Sequence, residues 1–206
     1  MNKKSNQDDN TLVSLAKNGD ISAFEKLIKR YEDSIFSLAY RILQDKEEAY
    51  DVLQETALSA FKNLKRFKGK SSFSTWIYKI ALNFALMRKR KQKSLAKKVS
   101  VISTDDESKI YDSVDTEEFK NIQDVYDDNP LKTLEQQEFI NILNDSLNKL
   151  PEKYRTVFIL KELEGRPIEE VAKILNLSPS AIKTRLHRSR LYLRELMEKY
   201  ITQGHI

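Results

Sequence analysis

Between Val171 and Arg194 the chain carries six Lys or Arg residues and no acid. If Ser178 caps a helix that opens on Pro179, a turn of about 100° per residue sends Ile182, Leu186 and Leu193 inward. Ser180, Lys183, Thr184, His187 and Arg188 then share the outer face. Such side chains suit the edges of DNA bases, Arg and Lys toward guanine and Thr toward a thymine methyl. Arg185, Arg190 and Arg194 lie at the flanks of that face, suited to phosphates or to neighbouring acids, and Arg185 is kept among the DNA contacts. A basic amphipathic helix can also serve only packing or solubility. Here the cap, the turn and the packing residues fall in one register, which favours DNA. His187 stands without a Cys or a second His nearby, so it reads as a surface or base contact, and no metal site is expected.

A second tract, KNLKRFKGKSSFSTWIYKIALNFALMRKRK, interleaves Phe67, Phe73, Trp76, Tyr78 and Phe84 with basic residues. Cations hold backbone phosphate while rings stack on unpaired bases, the chemistry of single-stranded nucleic acid. Taken alone the tract is only suggestive, because helical spacing makes core packing the better account of Trp76, Ile80 and Phe84. Charge sharpens the picture. Thr56 to Thr104 holds thirteen Lys and Arg and no acid, whereas Asp105 to Asp128 holds ten acids against Lys109 and Lys120, a local charge of −8. A basic arm for a polyanion thus sits beside an anionic segment.

Helices must position these residues. In 206 residues with 33% charged side chains and only four Gly and four Pro, the composition suits amphipathic helices, and the expected fold is all-α. Helical spacing runs through Leu12 to Ala16, Phe24 to Leu43, Glu47 to Leu64 and Ser74 to Lys91. Val52, Leu53, Thr56, Ala57, Ala60, Phe61 and Leu64 fall on one stripe. Asn18-Gly19-Asp20 separates the first two helices, with Asp20 or Ser22 as the next cap. From Ser94 to Pro130 no period is sustained, although Ser113 to Tyr126 has enough pattern for a transient helix. The predicted organisation is a helical domain over 1–93, an acidic flexible linker over 94–130 and a second helical domain over 131–206. In the latter Pro151 starts a helix that Gly165 ends, Pro167 to Leu175 forms a short helix, and Asn176 turns the chain into the helix from Pro179, a helix-turn-helix.

Other classes are disfavoured. There is no cysteine for a disulfide, thiolate metal site or thiol nucleophile, and no GxxxxGK[ST] phosphate loop. Residues 1–10 lack the apolar core of a signal peptide, and no run approaches a membrane span, so a cytoplasmic protein without membrane insertion is expected.

DVLQETALSAFKNL, then RFKGKSSFSTWIYKIALN, then RKRK, a linker and the helix-turn-helix together resemble the extracytoplasmic-function (group 4) sigma factors of bacterial RNA polymerase, from about Leu12 to Leu196. The resemblance implies a transcription initiation factor with region 2 in the first domain and region 4 in the second. It implies core polymerase docking at Asp51, Gln54 and Glu55. It also implies capture of a flipped base of the melted −10 element by Phe67, the loop Gly69 to Ser74 with Ser72 and Phe73, Ile80 and Asn83. Trp76, Lys79, Arg88, Lys89 and Arg90 would lie near the duplex and melted strand. Ser180, Lys183, Thr184, Arg185, His187 and Arg188 would read the −35 element. Leu82 and Met87 depart from the basic residue and the Asp that many relatives place there.

Core RNA polymerase, promoter DNA and an anti-sigma factor are the implied partners, and no cofactor or catalytic residue is expected, because polymerase supplies the chemistry. Two other readings are an operator-binding helix-turn-helix regulator, which would leave the aromatic tract and the linker without a task, and a metal-dependent nuclease using the linker acids, which a polar flexible segment would not hold in place.

Overall fold

Asp20, Asp45 and Ser178 start three of the helices by one device: a side-chain oxygen that accepts from the backbone N–H three residues on, at 3.0 Å from Ala23, 3.1 Å from Glu48 and 3.1 Å from Ala181. The computed structural model describes residues 3–99 and 130–202, with side chains over 9–94 and 140–198. Every element among the described residues is helical. The anionic segment Asp105 to Asp128 and the possible helix Ser113 to Tyr126 lie outside them.

The chain divides into two units. The first contains α1 (Lys3–Lys17), α2 (Ile21–Leu43), α3 (Lys46–Asn63) with a 3₁₀ turn (Leu64–Arg66), and α4 (Phe73–Val99). Helix α2 is central and packs against α1, α3 and α4. Its stripe of Leu27, Ile35, Leu38 and Ala39 is fully buried, as are Ala49, Val52 and Ala60 of α3 and Ile77, Tyr78 and Ala85 of α4. Burying each large apolar side chain contributes about 1.5–3 kcal/mol. Gln44 closes α2 in the left-handed conformation, φ 58°, and its N–H reaches the Tyr40 carbonyl at 2.7 Å. Helix α4 continues to Val99, six residues beyond the end of the predicted domain, because Arg88 to Lys98 contains neither Gly nor Pro to stop it.

The second unit holds α5 (Pro130–Lys149), α6 (Glu152–Phe158) running into a π-helical turn (Ile159–Leu163), α7 (Ile168–Leu175) up to Ala172, and α8 (Pro179–Thr202). Helix α8 packs against α5 and α6. Pro151 precedes α6 as its cap, and the π turn ends at Glu164, with Gly165 at φ 63° turning the chain. Asn176 closes α7 at φ 56°, and the Leu177 N–H returns to the Ala172 carbonyl at 2.9 Å. That is the six-to-one bond of a left-handed helix stop, and Asn tolerates it better than other non-glycine residues.

Candidate nucleic-acid and partner interfaces

In the second unit the inward residues of α8 behave as their spacing requires: Ile182 and Leu193 are fully buried, as is Val171 on α7, and Leu186 and Ala172 are buried. The complementary face is open. Ser180, Lys183, Thr184 and Arg188 are exposed, while Arg185 and His187 are half-buried. The Thr184 hydroxyl donates back to the Ser180 carbonyl at 3.1 Å, so its methyl is the part left to meet a base. One Arg188 nitrogen lies 3.4 Å from the Tyr154 hydroxyl, which steers its guanidinium from the side. The flanking arginines fold back onto acids: Arg190 reaches Glu162 at 2.7 Å and Arg194 reaches Glu198 at 3.0 Å. This leaves a compact outer face of Ser180, Lys183, Thr184, His187 and Arg188 on one helix.

In the first unit the aromatic tract divides by burial. Phe73 is 1% exposed and Phe67 is 8% exposed, so neither presents a ring face to solvent, whereas Trp76 and Ile80 are half-buried and Asn83 is exposed. Phe67, Phe73 and Trp76 form a cluster with centroids 5.0–6.0 Å apart. The two phenylalanines are thus the buried ends of the loop Lys68 to Ser72, and the more open positions that follow on α4 are Trp76, Ile80 and Asn83. Ser72 serves the helix: its hydroxyl accepts from the Thr75 N–H at 3.1 Å and lies 2.8 Å from the Thr75 hydroxyl, capping α4. Spacing of aromatics alone does not reveal that cap, but the pattern Ser72-Phe73-Ser74-Thr75 ahead of an apolar run carries the signal.

The cations of α4 also divide. Lys79 is half-buried and Arg90 exposed. Lys89 donates to the Leu43 carbonyl at 3.3 Å, satisfying an orphan acceptor at the end of α2. Arg88 is engaged by three carboxylates of α3: Glu55 at 2.8 Å, Asp51 at 3.1 Å and Glu48. Bonds to Glu55 and Glu48 hold its pKa well above the usual arginine value. The resemblance puts Arg88 with Lys89 and Arg90 near the DNA; its side chain points instead into the acidic stripe of α3.

That stripe runs along Glu48, Asp51 and Glu55, with Gln54 exposed beside it. It continues into two exposed apolar residues: Leu58 is 59% exposed and Phe61 is 52% exposed. Periodicity puts Phe61 in the core, but its side chain is about half in solvent and meets Phe24 in a T-shaped pair with centroids 5.1 Å apart. An acidic row leading to two exposed apolar side chains is the composition of a docking face for a partner with basic groups and a hydrophobic pocket. Among the described residues no group of three acids or histidines is placed to hold a metal ion.

Known families match the chain in two stretches. Residues 27–95 match the family model for sigma-70 region 2, and residues 140–193 match that for sigma-70 region 4. The chain is 32% identical over 183 residues to the ECF RNA polymerase sigma factor SigW of Bacillus subtilis, covering 89% of this chain and 93% of that one. It is 31% identical over 182 residues to the ECF RNA polymerase sigma-E factor of Haemophilus influenzae, covering 88% and 91%. Among solved structures, CnrH in complex with the cytosolic domain of CnrY superposes with a TM-score of 0.65 at 22% identity over 93% of this chain and 98% of that one. The sigma factor RpoE of Bartonella quintana, solved with the anti-sigma factor NepR, gives 0.57 at 23% identity over 86% and 98%, a likeness of fold.

Proposed function

The chain belongs to the sigma-70 family as an extracytoplasmic-function RNA polymerase sigma factor, and from that premise we propose which of its residues perform promoter recognition and melting. The protein directs RNA polymerase to promoters and takes part in opening them. In our reading the first domain, about 1–93, docks on core polymerase and holds the melted −10 element, the second, about 131–206, reads the −35 element, and the acidic segment between joins them.

The observation that carries this assignment is the open outer face of α8, held in place by the Ser178 cap and the Asn176 turn. An α-helix fits the major groove of B-DNA, where each base pair presents a distinct pattern of donors and acceptors. Ser180, Lys183, Thr184, His187 and Arg188 are the contacts proposed for bases, with Arg185 at the edge of the groove. At the −10 element Ser72, Trp76, Lys79, Ile80, Asn83, Lys89 and Arg90 surround the captured base and strand, with Phe67 and Phe73 supporting them from below. Extruding a base costs a few kcal/mol, and stacking on an aromatic returns roughly 1–3 kcal/mol per base. With phosphate clamps added, binding of the unpaired state opens the duplex without hydrolysis. On this reading the chain carries no catalytic chemistry of its own, and it acts where the polymerase does, in the cytoplasm. Asp51, Gln54 and Glu55, extended by Leu58 and Phe61, form the proposed docking face for core polymerase. An anti-sigma factor is the proposed negative regulator, in keeping with the complex in which RpoE was solved.

Mapping genomic transcription starts made by core polymerase with and without the protein tests the assignment. A set of new starts sharing −35 and −10 sequences is expected, and a Lys183→Ala protein should relax the preference at one position of the −35 element only. An operator-binding regulator would instead alter the yield of starts that core polymerase makes with its other sigma factors.

A further inference from the structure

Helix α1 has no role in the assignments above, yet it secures both feet of the loop between the 3₁₀ turn and α4. The first foot is Phe67. The Lys17 ammonium donates to the Phe67 carbonyl and also sits over its ring, 5.5 Å from the centroid. The second foot is Phe73, against which the ring of Tyr31 packs at 5.7 Å. Tyr31 in turn donates its hydroxyl to Asp9 of α1, a carboxylate only 2% exposed that also pairs with Arg30 at 3.0 Å. Between the feet Lys68, Gly69 and Lys70 are exposed, and Gly69 holds φ +68° with open space where a side chain would begin. The loop tip is open, and the contacts of α1 and Tyr31 described above fall at its ends.

We propose that Lys17 and Asp9 are positioning residues for promoter melting: α1 clasps Phe67 directly and Phe73 through Tyr31, holding the loop in the geometry that receives the extruded base. The inference rests on the reading of this loop as the −10 pocket. A cation over a ring and a charge-assisted bond to a carbonyl both resist displacement of the first foot, and a buried carboxylate bonded to a phenol does so for the second. A loop already in its bound shape does not spend binding free energy on ordering itself.

Trp76 is the single tryptophan of the chain and lies 5.0 Å from Phe67 and 5.6 Å from Phe73, so its fluorescence reports on the feet without any DNA. Two measurements on the full chain make the test: acrylamide quenching of Trp76 in the free protein, and the half-life of the open complex formed with core polymerase on a promoter carrying 2-aminopurine in the −10 element. Lys17→Met should raise the quenching constant and shorten the half-life roughly fivefold or more, the factor for about 1 kcal/mol, while duplex binding before melting stays unchanged. Lys17→Arg, which keeps a cationic donor, should restore both. Tyr31→Phe releases the second foot alone and repeats the test should Lys17→Met fail to fold. Shortened half-lives with unchanged quenching, or loosened feet with an unchanged half-life, would overturn the clasp. Asn83→Ala separates the two levels: loss of melting in Asn83→Ala but not in Lys17→Met or Tyr31→Phe sinks the clasp and leaves the pocket standing, whereas silence of all three removes both.

Discussion

Charge at a single residue is informative only with its partners counted. Arg88 and Arg90 are two positions apart, yet Arg88 is spent on Glu48, Asp51 and Glu55 while Arg90 is exposed. Those carboxylates are 35–58% exposed, so each bridge contributes only about 0.2–1 kcal/mol, but together they aim the guanidinium away from solvent. Each phosphate contact adds about 0.9 to the salt slope of binding. Replacing Arg90 with Ala should therefore lower that slope by about one when polymerase carrying the protein is titrated onto promoter DNA, and Arg88→Ala should leave it unchanged. An equal fall for both would place Arg88 on the DNA after all. Lys183→Ala behaves differently again: as a base contact it should cost about 1–3 kcal/mol and relax specificity at one base pair, with the fold intact by circular dichroism.

At the scale of elements, the helix-turn-helix depends on two short devices. Removing the Ser178 cap by Ser178→Ala should cost about 1 kcal/mol of stability in urea denaturation, and promoter affinity should fall because α8 starts less firmly. Asn176→Val should cost roughly 1–2 kcal/mol, since a β-branched side chain resists the left-handed conformation, whereas Asn176→Gly should be neutral or stabilising. Both devices were legible in the order Asn176-Leu177-Ser178-Pro179, because caps and turns follow from local backbone chemistry. So were the inward residues of α8, which obey one period. Burial across helices was less legible. Phe61 shares the period of α3's core yet lies at the margin of the bundle, and Phe73 sits among basic residues yet is buried. Arg155 is 2% exposed although charge would put it outside, and its Nη1 has no hydrogen-bond partner among the described residues. The π turn after Phe158 has no sequence signal, because one extra residue per turn depends on how α6 meets its neighbours. What spacing alone does not convey is which side of a helix another helix covers, and the α1 clasp, made between residues 50 positions apart, is of that kind.

For the whole molecule, two DNA-binding faces on one chain raise the effective concentration of the second once the first is bound, provided something fixes their separation. Polymerase is proposed to supply that frame. The segment Asp105 to Asp128, with its charge of −8, resembles a nucleic-acid strand electrostatically. Neutralising its acids should alter abortive initiation and promoter escape more than promoter affinity, read as the ratio of short to full-length transcripts. An unchanged ratio would reduce the segment to a tether. The central claim is that promoter recognition belongs to the complex and not to the free chain. Titrating a labelled promoter with the protein alone and with core polymerase, at several salt concentrations, tests it most directly. The free protein should bind weakly, with little preference for promoter sequence and a steep loss with salt, and polymerase should confer tight, sequence-specific binding. Tight, specific binding by the free protein, with no gain on adding polymerase, would contradict the account.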